Sequence, residues 1–387
     1  MYKIKTMNKI APVGLEILDK AGYQISDKEE NPDAILVRSA NLHEYEFNPE
    51  LVCIARAGAG TNNIPIQRCT EAGIVVFNTP GANADAVKEL CICALLMASR
   101  DILGGIEWVR SIADRGDEVA GMVERGKSSF SGPELNGKTL GVIGLGAVGA
   151  KIANTAVALG MEVYGYDPYL SVDAAWQLSR SVKHAHDLET IYRYSDYITI
   201  HVPYTSETHH IINAEAIKQM KDGVRIINLA RGELVCDEDI LAALDTTKVA
   251  RYVTDFPNGV LAGVPNVVPI PHLGASTPES EEKCAIMAAK EILDYLENGN
   301  ITNSVNMPTV CLDRMGVSRL CVMHRNVPRM IQRFLDLIGR QDINVEHMIN
   351  KPRGEYAYTI IDTGTKINGA ITAGIKAMDE VFRVRVL

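Results

Sequence analysis

The sequence predicts two α/β blocks, each built on a parallel sheet, followed by a small α+β module. Three observations carry this reading. Short apolar runs alternate with helical patterns over the first hundred residues, and the same alternation restarts at Thr139. Beyond Asn303 the order becomes strand, helix, strand, strand, helix, strand. Strand–helix alternation implies a parallel sheet covered on both faces, and the last order is that of a ferredoxin-like module.

In the first block Ala34–Val37, Val52–Ala55 and Gly73–Phe77 read as strands, with Ala11–Ala21 and Ile64–Ala72 as helices between them. A long helix follows over Asp85–Arg100, then a polar stretch, Arg115–Glu134. The second block has strands at Thr139–Ile143, Glu162–Tyr166, Tyr197–His201, Val224–Asn228, Val249–Thr254 and Val267–Ile270, and a helix over Thr277–Glu297 leads away from it. In the module, Arg319–Met323, Ile343–Ile349, Tyr356–Asp362 and Val381–Arg385 read as strands, and Pro328–Gly339 and Thr372–Asp379 as helices.

The bulk numbers agree with a multi-domain globular chain. At 387 residues and 47% apolar it has material for two or three cores. A net charge of −9 argues against a broad nucleic-acid footprint. It leaves room for anionic substrates, because a few converging Arg or Lys residues outweigh the overall charge locally. No run approaches the roughly 18 apolar residues of a membrane span, and the first residues lack the apolar run of a signal peptide. The eight cysteines form no CxxC pair. They read as reduced thiols of a cytoplasmic protein, and no metal is expected.

Chemistry enters at Gly144-Leu145-Gly146-Ala147-Val148-Gly149, where an apolar strand runs into GxGxxG and then a helix. The first glycine permits a tight turn, the second lets backbone approach a pyrophosphate, and the third lets helix and strand pack closely. The N–H groups of the helix start then face the anion. Asp167, followed by Pro168, ends the next strand 23 residues beyond Gly144, placed to accept from ribose hydroxyls. Its charge would repel a 2′-phosphate, which favours NAD over NADP. Arg231 and His272 each follow a later strand, on the edge where open α/β sheets bind ligands. Arg can fork a carboxylate, and His can exchange a hydroxyl proton near neutral pH. Singly, Arg231 also fits a surface ion pair and His272 a helix cap. Together, after a dinucleotide loop, they fit oxidation of a 2-hydroxy acid.

The phrases Arg56–Ile64, Asn78–Asn83, Glu134–Gly141 and Pro271–Thr277, with the spacing of Gly144–Gly149, Asp167 and Asn228–Gly232, resemble the D-isomer-specific 2-hydroxyacid dehydrogenases. Within them the chain is similar to the branch that acts on 3-phosphoglycerate. The resemblance implies a Rossmann domain, 98–277, inserted into a discontinuous flavodoxin-like substrate domain, 1–97 and 278–303, with an ACT-like ferredoxin-fold regulatory domain at 304–387. The helices near Asp85–Arg100 and Thr277–Glu297 would cross between the first two, and closure about them would expel water.

The resemblance also implies residue roles. Arg231 would clamp the substrate carboxylate and reacting oxygen, and His272 would be the general acid/base. Gly144, Gly146, Ala147, Val148, Gly149, Asp167, Pro168, His201, Val202, Pro203, Thr208, Asn228, Ala230, Asp255, Gly274 and Ala275, with Arg231 and His272, would surround NAD. Arg56, Ala57, Gly58 and Asn83 would line the substrate site, with Arg38 and Lys88 as further candidates for its phosphate. One departure stands out. The family's glutamate between Arg and His is Gly259 here, in Val253–Gly259, so either Asp255 partly substitutes in catalysis or His272 works unpaired.

In the C-terminal module the resemblance implies an L-serine effector held by His324, Asn326 and Asn344. The family's glycine after the proline is Arg329 here. A homodimer or homotetramer, with no nucleic-acid or membrane partner, completes the expectation. Two alternatives remain: a glyoxylate, hydroxypyruvate or pyruvate reductase, and an NAD-sensing corepressor.

Overall fold

The computed structural model describes all residues of the chain except the side chain of Asp173. It divides into two compact units, Met1–Ala82 with Glu281–Leu387, and Asn83–Ser280.

The first unit opens with β1 (Lys3–Met7), α1 (Pro12–Lys20), β2 (Gln24–Ser26), β3 (Ala34–Val37), β4 (Cys53–Arg56), α2 (Ile66–Glu71) and β5 (Val75–Phe77). The strands form a parallel sheet in the order β2-β1-β3-β4-β5, the flavodoxin-like order. β3 and β5 are buried at every residue, which is why they read as unbroken apolar runs. β1 escapes notice in the sequence because three of its five residues are Lys, Thr and Lys.

The second unit begins with α3 (Ala84–Ser99), α4 (Ile102–Ser111) and α5 (Val119–Gly126). Its sheet and covering helices follow as β6 (Thr139–Ile143), α6 (Ala147–Ala158), β7 (Glu162–Tyr166), α7 (Val172–Trp176), β8 (Val182–His184), α8 (Leu188–Tyr194), β9 (Tyr197–Ile200), α9 (Ala214–Gln219), β10 (Val224–Asn228), α10 (Asp237–Asp245), β11 (Val249–Thr254) and β12 (Val267–Pro269). All seven strands are parallel, in the order β12-β11-β10-β9-β6-β7-β8, so the topological switch point lies between β6 and β9. This is a Rossmann sheet. The unit starts earlier than the expected boundary at 98, because α3 buries Val87, Cys91, Ala94, Leu95 and Ala98 in the cluster with Leu140, Val142 and Ile152. The polar stretch Arg115–Glu134 carries α5, whose apolar residues Val119, Met122 and Val123 recur at helical spacing although the helix buries no residue.

The chain returns through α11 (Pro278–Asn298) to β13 (Ser318–Arg325), α12 (Met330–Gly339), β14 (Val345–Arg353), β15 (Tyr356–Thr363), α13 (Gly369–Lys376) and β16 (Val381–Val386). The four strands form an antiparallel sheet in the order β14-β15-β13-β16, with the expected βαββαβ succession. α12 buries Met330, Phe334 and Ile338, spaced four apart on one face. α13 starts three residues before its expected place because the Asn368 carboxamide accepts from the N–H groups of Ala370 and Ile371. β14 starts two residues late, after Asp342 turns through a left-handed φ of 54°.

This module shares the core of the first unit. Cys321, Met323, Tyr358 and Ile360 lie in one apolar cluster with Ile4, Leu18, Phe77, Ala285 and Tyr295. Arginines reinforce the junction. Arg385 donates to the carbonyls of Tyr295 (2.9 Å) and Leu296 (2.8 Å) near the end of α11, and Arg383 to that of Ala72 (3.0 Å), the C-cap of α2. Cations at helix C-termini satisfy orphan carbonyls and complement the dipole. Arg319 and Asp362 form a fully buried two-point pair, Nε–Oδ1 2.6 Å and Nη2–Oδ2 2.7 Å. Arg319 also donates to the carbonyls of Asn298, Leu312 and Asp313, so the pair ties the end of α11 and the connecting segment to the sheet.

Two outcomes follow for stability. Arg319→Met leaves Asp362 buried and uncompensated, and urea unfolding should register a loss of about 3–5 kcal/mol. Glu291 on α11 is buried, with one oxygen accepting from Asn303 Nδ2 (2.7 Å) and the other without a partner. Burial pushes its carboxyl up to about 8. A folded-state value above the unfolded one gives stability that is full below the ordinary carboxylate range and lost as pH rises through about 8. Glu291→Gln should therefore raise the melting temperature at alkaline pH and change it little near pH ~5, as thermal melts would record.

Candidate active site

The site residues of the second unit sit just beyond the carboxyl ends of β6, β7, β9, β10, β11 and β12. Gly144 follows β6 with φ 92°, and a Cβ there would lie 2.7 Å from the His201 carbonyl oxygen. A Cβ on Gly149 would collide with the Gly144 carbonyl. Gly146 differs: a Cβ there meets nothing within 4 Å, and it is the N-cap of α6 with no side-chain cap bond. Ala147 and Val148 form the first turn behind it. The loop thus presents open space and a helix start, the requirements of a pyrophosphate.

Asp167 braces this loop. Its Oδ2 accepts from Leu145 N and its Oδ1 from Tyr169 N, both at 2.9 Å. With Pro168, Gly165, Trp176 and Arg180 it lines a cleft of about 750 Å³, large enough for an adenosine. After β9, His201 Nε2 lies 2.8 Å from Thr199 Oγ1, and desolvation lowers the ring to about 3, so it stays neutral. Val202 and Pro203 lead on to Thr208, whose hydroxyl donates to the Pro203 carbonyl (2.7 Å) and accepts from Thr205 N (2.8 Å).

Asn228 closes β10 as a clasp. Buried, it accepts from the N–H groups of Ala230 (3.2 Å) and Arg231 (3.3 Å) and donates to the Arg231 carbonyl (2.7 Å). Arg231 is half-buried, with its guanidinium 5.8 Å from the centre of the Phe256 ring. Asp255, beyond β11, is buried, and both oxygens are engaged by backbone: Oδ1 by Leu273 N (2.7 Å) and Oδ2 by Gly274 N (2.8 Å). Desolvation raises its pKa, and those amides pull the other way. Its role here is therefore to hold the residues after His272, with Gly274 close beneath it and Ala275 next in line. His272 is exposed, has a left-handed φ of 53°, and lays its ring 4.7 Å from that of Phe256. Among the described residues no carboxylate bonds to this ring. Phe256 is the residue that sequence reasoning misses; its only signal is an aromatic side chain directly after the acid at a strand end.

Comparison with known proteins agrees with this geometry. Residues 93–274 match the model of the D-isomer specific 2-hydroxyacid dehydrogenase NAD-binding domain. The hydroxypyruvate reductase of Thermotoga maritima is 38% identical over 277 residues, 68% of this chain and 85% of that protein. The chain belongs to the D-isomer-specific 2-hydroxyacid dehydrogenase family. A D-3-phosphoglycerate dehydrogenase of Methanocaldococcus jannaschii is 32% identical over 82% of this chain. An NAD⁺-bound 3-phosphoglycerate dehydrogenase structure from Entamoeba histolytica is 28% identical, with a TM-score of 0.63 over 79% of this chain and 98% of that one. The chain spans 56–62% of the length of the first curated relatives it matches. NAD is the dinucleotide of the matched domain, and the cradle of Gly144–Gly149 with Asp167 fits it.

For a member of this family the remaining expected residues are distributed as follows. Arg56 ends β4, and its Nε donates to the Arg38 carbonyl (3.1 Å). Ala57 N donates to Val37 O, and the Gly58 carbonyl accepts from Thr79 N. Arg38 pairs with Glu281 at 2.7 Å. Asn83 is the N-cap of α3, and Lys88 on that helix is shared between Asp85 (3.9 Å) and Glu89 (3.5 Å). Arg38 and Lys88 are thus engaged by acids. Gly259, where the family glutamate would stand, is exposed with nothing within 4 Å of a Cβ. In the C-terminal module His324 is buried. Its Nδ1 meets Arg325 O and its Nε2 meets Thr359 Oγ1, both at 2.8 Å, and burial lowers its pKa. Asn326 and Asn344 are exposed, donating to Gly354 O and Glu346 Oε1. Arg329 holds φ 68° as the N-cap of α12, a conformation natural to glycine.

The contrast between two glycines is testable. Gly146→Val should leave folding intact and weaken NAD binding by at least about tenfold in a fluorescence titration, roughly 1.4 kcal/mol. Gly149→Val should instead lower the melting temperature, because backbone of Gly144 occupies the space.

Proposed function

We propose that this protein is an NAD-dependent dehydrogenase that oxidises D-3-phosphoglycerate to 3-phosphohydroxypyruvate, the opening step of serine biosynthesis. The observation that carries the reading is the meeting of Arg231 and His272 at one ring, Phe256, beyond strands of the same sheet that ends in the dinucleotide cradle. Arg231 forks the substrate carboxylate and polarises the oxygen on C2. His272 accepts the hydroxyl proton as the C–O single bond becomes a carbonyl, and returns it in the reverse direction. NAD, when bound, supplies the acceptor for the electron pair of the C2–H bond. Arg56 holds the substrate phosphate. The relatives named D-3-phosphoglycerate dehydrogenase support this choice of substrate.

A second reading, reduction of hydroxypyruvate or glyoxylate, draws support from the engagement of Arg38 and Lys88 by acids and from the Thermotoga maritima relative. A corepressor role draws none from a preformed Arg–His pair. Steady-state kinetics on D-3-phosphoglycerate, D-glycerate, hydroxypyruvate and glyoxylate separates the readings. The expected result is the highest kcat/KM for D-3-phosphoglycerate, a loss of about 10²–10⁴-fold in His272→Asn, and a KM rise in Arg56→Ala confined to the phosphorylated substrate. Equal efficiency on unphosphorylated acids would replace the first reading with the second.

The βαββαβ module has ACT-like strand order, but the engaged ring of His324 leaves little to hold L-serine. Millimolar serine should leave the rate unchanged, and inhibition with measurable heat would restore the effector. The homo-oligomer draws support from Ile102, Leu103, Ile106 and Val109 on α4, all exposed, which size-exclusion chromatography would follow.

A further inference from the structure

We propose that Phe256 is the positioning residue that aims both Arg231 and His272, doing for the imidazole what a paired carboxylate would otherwise do. The inference rests on the catalytic reading of Arg231 and His272 above.

His272 has a particular problem of orientation. Its backbone occupies a left-handed conformation, its side chain is exposed, and no carboxylate among the described residues fixes its tautomer or its ring plane. The adjacent acid, Asp255, has its two oxygens committed to the amides of Leu273 and Gly274, so it secures the backbone beyond His272 and not the ring. The glutamate position is Gly259, which carries no side chain to reach back. What touches the imidazole is the Phe256 ring, at 4.7 Å between centres and tilted by 53°. That geometry lies within the favoured range for aromatic pairs, and it persists in both protonation states, with an added cation–π attraction for the imidazolium. An acid/base that alternates between the two forms needs a contact that survives in both.

The same ring sits 5.8 Å from the Arg231 guanidinium, within cation–π range. Its own place is well determined. Phe256 N donates to the buried Thr254 hydroxyl at 3.1 Å. The next residue after Arg231 is Gly232, where a Cβ would lie 3.5 Å from Phe256 Cβ, an ordinary contact. Residues 255 and 256 therefore divide one task. The carboxylate grips the chain after His272, and the ring grips the imidazole and the guanidinium together. One aromatic side chain sets the spacing between the group that holds the acid and the group that moves the proton.

The test uses Phe256→Leu and Phe256→Met, which keep apolar bulk without a ring, and Phe256→Tyr, which keeps the ring. The first readout needs no substrate: NMR of histidine-labelled protein, with His272 assigned through His272→Asn. In the native chain the His272 ring protons should carry a ring-current shift from Phe256, lost in the Leu and Met variants and kept in Tyr. The second readout is kinetic. Phe256→Leu should lower kcat on the order of tenfold or more, with NAD affinity held within about twofold, since small misplacements of reacting groups are costly. Phe256→Tyr should restore the rate. Should Phe256→Leu fail to fold, Phe256→Met carries the same comparison. An unmoved His272 resonance in the folded Leu or Met variant, or an unchanged kcat, would overturn the assignment. If the native chain turns over no 2-hydroxy acid, the functional reading fails, and the NMR comparison still decides whether Phe256 orients His272.

Discussion

The parallel pairing of β6 through β12 is the constraint on which the rest depends. Each end-of-strand residue is matched in register with its neighbour: Ile143 with Tyr166 and with Ile200, Asn228 with Ile200 and with Thr254, Thr254 with Pro269. A slip of one residue in any pair would turn every side chain of that strand to the opposite face. Register therefore does more than build a sheet. It brings Gly144, Asp167, His201, Asn228, Asp255 and His272 to one edge although 128 positions separate the first from the last.

At that edge the loops use their polar side chains largely on their own backbone. Asp167 accepts from two amides, Asn228 exchanges bonds with the residues that carry Arg231, Thr208 ties its loop to Pro203, and Asp255 binds the amides after His272. Groups that look chemical in the sequence are thus partly scaffolding. The arrangement is preorganised: Arg231, whose Nη1 donates to the Ala230 carbonyl (2.6 Å), and His272 stand on loops whose conformations are already decided.

How much of this is legible in the sequence depends on the range of the forces involved. The strand–glycine–helix motif is local, so the cradle and Asp167 can be read directly, as can the strands buried on both faces. β1, with its lysines, lacks the unbroken apolar run that marks the others. Side-chain roles fixed by distant partners are beyond reading. Nothing near Arg38 in the chain foretells Glu281, nothing near His324 foretells Thr359, and the occupation of both Asp255 oxygens depends on residues 18 and 19 positions away. The fusion of the C-terminal module with the first unit is of the same kind. It follows from Arg319, Arg383 and Arg385 finding carbonyls that the sequence does not advertise.

That fusion has a consequence for the order of events during synthesis. The core containing Ile4, Leu18 and Phe77 is completed by Met323, Tyr358 and Ile360, and the ends of α2 and α11 are capped from β16. The stretch Asn83–Ser280 has no such dependence, since all seven strands of its sheet lie within it. On the ribosome the inserted unit can fold as soon as it emerges, while the parallel sheet made before it waits, apolar strands uncovered, for the module made after it. The sheet synthesised ahead of the insert becomes native after it, and that sheet most needs shelter from aggregation in the interval.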